Sequence, residues 1–398
     1  MSNIRQYLRN RQNTGEKDEY DRRIALHRRK IRIGAVIALL AVVLAGIGIK
    51  IFLDNRSFDT YEVVNTTEMS STGASKYYSF GNGMLIYSDD GISYIADGVT
   101  VWNQAFEMKK PIVDICTDVM AICDMETTSV YIYNTEGQMG TIETVYPIIA
   151  MEVSEQGIVA AITEDSETNR IEVFDREGNS IAIGRTYVTG EGCPVDISVS
   201  NDGTKLAAAY LYVDGGEAKS KVIFYNYSEV GKNEVGRIVG GFNHYEDTLI
   251  SRVEFLDNNT VVVYGDNLFT VYSMKQKPEM IKEVESKQRI KSIFYNEKHI
   301  GMILESDDYN NPYIIKIYDT DGDEQLTMST DFLYSGIEIK DDSLILYNDT
   351  DIMLMTTSGR ERYRGTIDEG IVKVVPTLKS SKYYIVNSQY NIMEISLK

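Results

Sequence analysis

The stretch "DTDGDEQ", Asp319 to Gln325, sets carboxylates at alternate positions, the pattern with which a loop grips calcium. The match stops there. Its glycine is Gly322, earlier than the sixth place, and Thr330 stands at the twelfth, where a bidentate glutamate would close the site. "NTEG" (Asn134–Gly137) and "DREG" (Asp175–Gly178) fill the same slot in sister segments, so the run reads as a solvated hairpin turn. "GKNEVGRI", from Gly231, imitates a phosphate loop but ends in Arg237-Ile238 where Lys and Ser/Thr are required, and reads as an outer connection. The acidic pairs Asp89-Asp90, Asp307-Asp308 and Asp341-Asp342 also fall in predicted turns. His27, His244 and His299 are isolated from one another, and no G-x-S-x-G elbow occurs. Cys116, Cys123 and Cys193 are odd in number and lack metal-ligand spacing; Cys116 and Cys123 flank "TDVMAI" on one predicted hairpin, where they are placed to face each other as ordinary buried thiols. These residues assign no catalytic, cofactor or metal site.

Recognition is the remaining chemistry. The insertion "YVDGGEAKSK", Tyr212 to Lys221, departs in length from its sister hairpins, and its Tyr212, Asp214, Glu217, Lys219 and Lys221 make it the candidate recognition loop. The 28 tyrosines, by contrast, lie mostly inside alternating strands such as "IFYNY" and "VVVYG", where rings pack between sheets.

The elements that would carry such a loop repeat. "SVYIYNTEGQ", "RIEVFDREGN" and "YIIKIYDTDGDEQ" are one phrase, with looser copies at "LFTVYSMKQK" and "DIMLMTTSGRE". Each follows two earlier strands, as in "CPVDISVSNDG" then "KLAAAYLYVD", and precedes a less apolar fourth, as in "SIAIGRTYV". Pro111, Pro147 and Pro194 stand at strand starts, where a missing N–H does least harm. Four short strands per unit define an all-β propeller, with units starting near Tyr77, Ile112, Ile148, Val195, Ile250, Ile290, Gly336 and Ile371. Eight blades are the expectation, seven the alternative. The last unit has only three strands before Lys398, and Thr60–Asn65 is the stray strand expected to complete it.

Ahead of the propeller, Ile33 to Ile49 is an unbroken apolar run of 17 residues, extended past Lys50 to Leu53. A helix of about 20 residues crosses a bilayer, so residues 33–53 read as a retained signal anchor. Residues 1–32 form a basic tail with ten Lys/Arg against four Asp/Glu, and the positive-inside rule puts that tail in the cytoplasm and residues 54–398 outside. Residues 22–53 are then the part that meets membrane lipid. Beyond position 32 there are 55 acidic and 30 basic residues, which excludes a nucleic-acid partner.

"VSNDGTKLAAAYL", Val199 to Leu211, resembles the strand-turn-strand signature of bacterial WD40-like and quinoprotein-like propellers. The layout of tail, anchor and acidic propeller is similar to an uncharacterised family of single-pass Gram-positive cell-surface proteins. Phe174-Asp175 and Tyr318-Asp319 replace the Trp-Asp pair of WD40 blades, and Trp102 is the only tryptophan, so no quinone cofactor is implied. The expected function is a non-catalytic binding module for a protein or envelope component. The alternatives are a glycan-active enzyme with carboxylates in the channel, or a transmembrane sensor.

Overall fold

The computed structural model describes residues 22, 26–46, 48, 56–68, 75–245, 247–377, 382–386 and 391–398. Two units divide the chain, Met1–Ser57 and Phe58–Lys398. In the first, residues 26–46 are helical, and apolar side chains such as Val36, Leu39 and Val42 are exposed. Among the described residues no helix is long and apolar enough to cross a membrane. Of the expected span 33–53, residues 47 and 49–53, including Leu53, lie outside the described residues.

Among the described residues the second unit holds 32 strands. The chain enters with β1 (Tyr61–Glu68), then forms a sheet of β2 (Lys76–Phe80), β3 (Gly83–Ser88), β4 (Gly91–Ala96) and β5 (Val99–Ala105). The next is β6 (Pro111–Cys116), β7 (Val119–Asp124), β8 (Ser129–Asn134) and β9 (Gly137–Glu143). It is followed by β10 (Ile148–Val153), β11 (Val159–Glu164), β12 (Thr168–Phe174) and β13 (Ser180–Tyr187). Then come β14 (Cys193–Val199), β15 (Lys205–Asp214), β16 (Glu217–Asn226) and β17 (Ile238–Phe242). A further sheet holds β18 (Ile250–Phe255), β19 (Thr260–Gly265), β20 (Leu268–Ser273) and β21 (Glu279–Glu285). Another holds β22 (Ile290–Tyr295), β23 (Ile300–Glu305), β24 (Tyr313–Tyr318) and β25 (Glu324–Thr330). The last consecutive one holds β26 (Gly336–Lys340), β27 (Ser343–Tyr347), β28 (Asp351–Thr356) and β29 (Glu361–Thr366). The chain ends with β30 (Lys373–Pro376), β31 (Lys382–Val386) and β32 (Asn391–Leu397), to which β1 adds as the outer strand.

The described residues thus form eight four-stranded antiparallel sheets, and contacts between the first strands of neighbouring sheets, including β2 with β30, make the ring of a propeller. Second strands are buried on both faces, which explains why "VMAICD", "VAAITE" and "TVVVYG" read as continuous small or β-branched runs. The repeated phrase carries the third strand, and the Asn or Asp at or just after that strand's end closes the turn. Asn134 Oδ1 accepts from the Glu136 and Gly137 N–H groups, Asp175 Oδ1 from Asn179, and Asp319 Oδ1 from Asp321 and Asp323. The Asp319 carboxylate is therefore engaged by its own hairpin.

Where strands pack closest, a side chain is excluded. Gly301 of β23 lies opposite Phe294 of β22, and a Cβ there would overlap the Phe294 ring, which is buried and cannot swing aside. Gly301→Ala should lower the free energy of unfolding by about 1–3 kcal/mol through overpacking, measured by urea denaturation.

Candidate functional site

The first strands surround the axis of the ring, so polar residues within them meet there. Four of these strands slip register by one residue against their second strand, just before Ala150, Asp196, Arg252 and Ser292. Such a bulge re-aims the side chain that follows it. Asp114 and Asp196 use their carboxylates to tie sheets together: the Val153 N–H donates to Asp114 Oδ2 at 2.7 Å, and the Val253 N–H donates to Asp196 Oδ2 at 2.8 Å. Ser198 Oγ accepts from the Phe255 N–H at 3.0 Å, and Ser79 Oγ donates to the Pro376 carbonyl at 3.1 Å.

A closed triad lies between the sheets of β18 and β22. Arg252 donates from Nε to Tyr295 Oη at 2.9 Å and from Nη2 to Glu254 Oε2 at 3.1 Å, while Tyr295 Oη donates to the same Glu254 oxygen at 2.8 Å. Around it the charges are unbalanced. Burial, followed by the charge of Glu254, raises the Asp114 carboxyl to about 7 against the opposing pull of the Val153 N–H and Arg252. Burial raises Asp196 to about 6, Glu152 well above the usual range with Asp114 and Glu254 adding to it, and Glu254 in spite of Arg252. Burial works against the Arg252 charge, but Tyr295, Glu254, Asp196 and Glu152 more than offset it and raise its pKa. On another part of the ring Lys373 pairs with Glu338 and lies over the Tyr78 ring, 5.8 Å from its centre.

Glu254 and Tyr295 also line a cavity of about 780 Å³ at one mouth of the ring. It takes residues from seven of the turns that join first to second strands, from Asn82, Thr117, Glu155, Asn201, Leu256, Asn296 and Asp341. The eighth such turn lies outside the described residues. Among the described residues, Asp118, Glu155, Glu297 and Asp341 stand around this cavity, with Lys298 and Lys340 of opposite sign. Among the described residues no group of three His, Cys, Asp or Glu side chains could hold a metal ion.

The structure places the expected recognition loop elsewhere. Tyr212 to Lys221 is no irregular loop: β15 and β16 each run ten residues, and the two-residue turn uses Gly215 and Gly216 at φ +63° and +88°, as a type I′ hairpin demands. Its tip joins a second strand to a third, so it stands at the opposite end of the sheet from the cavity turns. Asp214 and Glu217 are exposed, whereas Lys219 pairs with Asp214 at 3.1 Å and Lys221 donates to the Glu191 carbonyl at 2.7 Å with its Nζ over the Tyr212 ring. Cys116 and Cys123 do not face each other, because Cys116 registers with Val119 and Cys123 with Ile112. Burial raises both thiols to about 12, and all three cysteines are free. His244 pairs with Glu283 and His299 with Asp342.

A ring of four-stranded antiparallel sheets with charged groups along its axis defines a β-propeller. The chain belongs to the family of unknown function DUF5711, whose model matches residues 54–397. No curated protein matches it in sequence. Among solved structures it is similar to BamB from Moraxella catarrhalis, at 12% identity and a TM-score of 0.53 over 85% of this chain and 100% of that one. It is also similar to Sqt1 from Chaetomium thermophilum, solved bound to the N-terminus of a ribosomal protein, at 9% identity and a TM-score of 0.54 over 86% of this chain and 100% of that one. KlAtg21, in complex with the coiled-coil of AgAtg16, matches at 12% identity and a TM-score of 0.51 over 74% of this chain and 100% of its own. At such identities the likeness is one of fold.

Proposed function

We propose that the chain is a membrane-anchored binding module of a Gram-positive cell surface, with residues 1–32 cytoplasmic, residues 33–53 in the bilayer, and the propeller outside. It receives a protein or envelope component at the cavity mouth without catalysis. The observation that carries this reading is the cavity itself, a concave acidic face assembled from the turns of most of the sheets. The apolar run behind a basic cluster supports the anchor. Propellers solved with a ribosomal protein N-terminus and with a coiled coil support a protein partner.

A glycan-active enzyme is the second reading, favoured by the carboxylates that meet at the axis. Acid–base catalysis, however, sets one carboxyl up and leaves its partner ionised, whereas Asp114, Glu152, Asp196 and Glu254 are all shifted upward. Tyr295 is shifted upward too, by burial and by Glu254, which makes it a poor base.

A photo-crosslinking residue at Asn296, on the cavity, should capture a defined partner in intact cells, and one at Glu217, on the opposite face, should not. Protease added to protoplasts should remove a tag at the C-terminus. Capture only from Glu217, full protection of the tag, or turnover of a glycan by the purified chain would each overturn its part of the reading.

A further inference from the structure

Below the cavity floor one cation serves too many anions. Arg252 is the basic group acting on Asp114, Glu152, Asp196 and Glu254 alike, and its guanidinium is already committed to Glu254 and Tyr295. A second, independent feature lies beside it. Tyr264 is directly opposite Arg252 in the β18–β19 register, its ring stacks on Tyr295 with centres 6.1 Å apart, and it is 1% exposed. Its hydroxyl has no hydrogen-bond partner, and the charged groups acting on it are Glu254 and Arg252. A buried hydroxyl without a partner in the fold costs stability, and its oxygen can accept from a donor that reaches it.

Building on the binding function proposed for this cavity, we infer that its floor is a receptor for the ammonium or guanidinium head of a lysine or arginine carried by a basic peptide segment. Glu254 is the principal counter-ion. The Tyr264 oxygen accepts from the guest once the Arg252 side chain, which is 42% exposed, gives up its bonds to Glu254 and Tyr295. Size argues for a peptide over a small cation: about 780 Å³ is far more than one ammonium fills, and among the described lining residues five acids, Glu254 included, stand against two lysines. Charge argues the same way, since the 55 acidic residues beyond position 32 steer a basic partner toward the ring. Donors of the ammonium kind also suit a floor that offers carboxylate, phenol and no cluster of metal ligands among the described residues. A cation seated on Glu254, which lines the cavity, favours the ionised form of Glu254 and of Asp114 and Asp196, which sense the Glu254 charge, so binding tightens as pH rises through the range near 6 to 7.

The test uses the purified full-length chain in detergent and a fluorescein-labelled peptide of alternating lysine and glycine, read by anisotropy. The wild type should bind it, and the same peptide with acetylated lysines should bind at least about tenfold more weakly. Glu254→Gln should weaken the lysine peptide by about tenfold, and Glu217→Gln on the opposite face should leave it unchanged. Tyr264→Phe should weaken binding severalfold while the unfolding midpoint stays or rises, a combination that a merely structural tyrosine would not give. Equal weakening by Glu254→Gln and Glu217→Gln would reduce the effect to bulk charge and overturn the inference. So would displacement by spermidine at concentrations no higher than those of the peptide, which would make the floor a small-cation site. Capture of a partner from Asn296 with no binding of the lysine peptide would overturn this inference and leave the binding function standing.

Discussion

Deleting residues 58–68 should cost the propeller several kcal/mol of stability, because that segment is the outer strand of the sheet in which the chain ends. The pairing is extensive. β1 lies antiparallel to β32 from Tyr61↔Leu397 to Glu68↔Asn391, with one bulge between Val63 and Asn65. The ladder continues past the strand, with the Lys398 N–H donating to the Thr60 carbonyl at 2.8 Å, and the Phe58 N–H reaches the neighbouring sheet at the Arg362 carbonyl of β29 at 2.7 Å. Phe58 and Tyr61 pack on the apolar cluster of Ile345, Val374, Ile385 and Ile395, and the Arg362 guanidinium lies 5.2 Å from the centre of the Phe58 ring. Without β1 the β32 edge would stand unpaired, and with it the seam between the first and last sheets would lose its latch. In urea denaturation the deletion should move the midpoint to markedly lower denaturant, and a synthetic peptide of residues 57–69 added in trans should restore part of the loss. An unchanged midpoint would show that the ring closes without this strand.

That latch was legible because a strand-like segment and a three-strand unit stood at opposite ends of the chain, each lacking what the other had. The unit starts were legible for a related reason. Proline at Pro111, Pro147 and Pro194 and a return to alternation mark the first strands, and seven of the eight expected starts fall within them; Ile371 lies two residues ahead of β30. The Asx-closed turns after β8, β12 and β24 are local chemistry, so Asn134, Asp175 and Asp319 announced them in sequence.

The site was not legible in the same way. Asp114, Glu152, Asp196 and Glu254 each appear as a lone acid in an alternating strand, which sequence reasoning assigns to solvent. Only ring closure sets Asp114 and Glu254 within reach of each other's charge, three sheets apart in chain order. A signal was nonetheless present: an acid recurs in the interior of four successive first strands, in "PIVDIC", "IIAMEV", "CPVDISV" and "ISRVEF". The hairpin at Tyr212–Lys221 shows the converse. Its length was visible, but the face it occupies depends on whether its turn follows a first or a second strand, and that is a property of the sheet and not of the loop.

The same channel carboxylates should give the propeller an unusual dependence of stability on pH. A carboxyl whose folded pKa is raised binds protons more tightly folded than unfolded, so its contribution is complete below the unfolded value, near 4, and is lost as pH rises through the folded value. For Asp114 that loss runs from about 4 and is complete near 7, and for Asp196 it is complete near 6, with Glu152 and Glu254 acting in the same direction. The turn aspartates oppose this only in acid. Asp175, Asp202 and Asp308 have lowered pKa values, the first and last chiefly through Asn179 and Asn311, and Asp202 through Ser200 and Thr204 despite its burial. Their stabilisation is present above about 4 and is lost as pH falls below it. Stability should therefore peak near pH 4 and decline toward pH 7, the Asp114 shift alone corresponding to at most ~4 kcal/mol across that interval. Asp114→Asn keeps an oxygen for the Val153 N–H and removes the charge, so it should flatten the decline and leave the variant more stable than the wild type at pH 8. Urea denaturation at half-unit steps from pH 4 to 8 measures this; a wild-type profile that rises through pH 6 to 8, or a variant less stable at pH 8, would show that the buried carboxylates are ionised and compensated in the native ring.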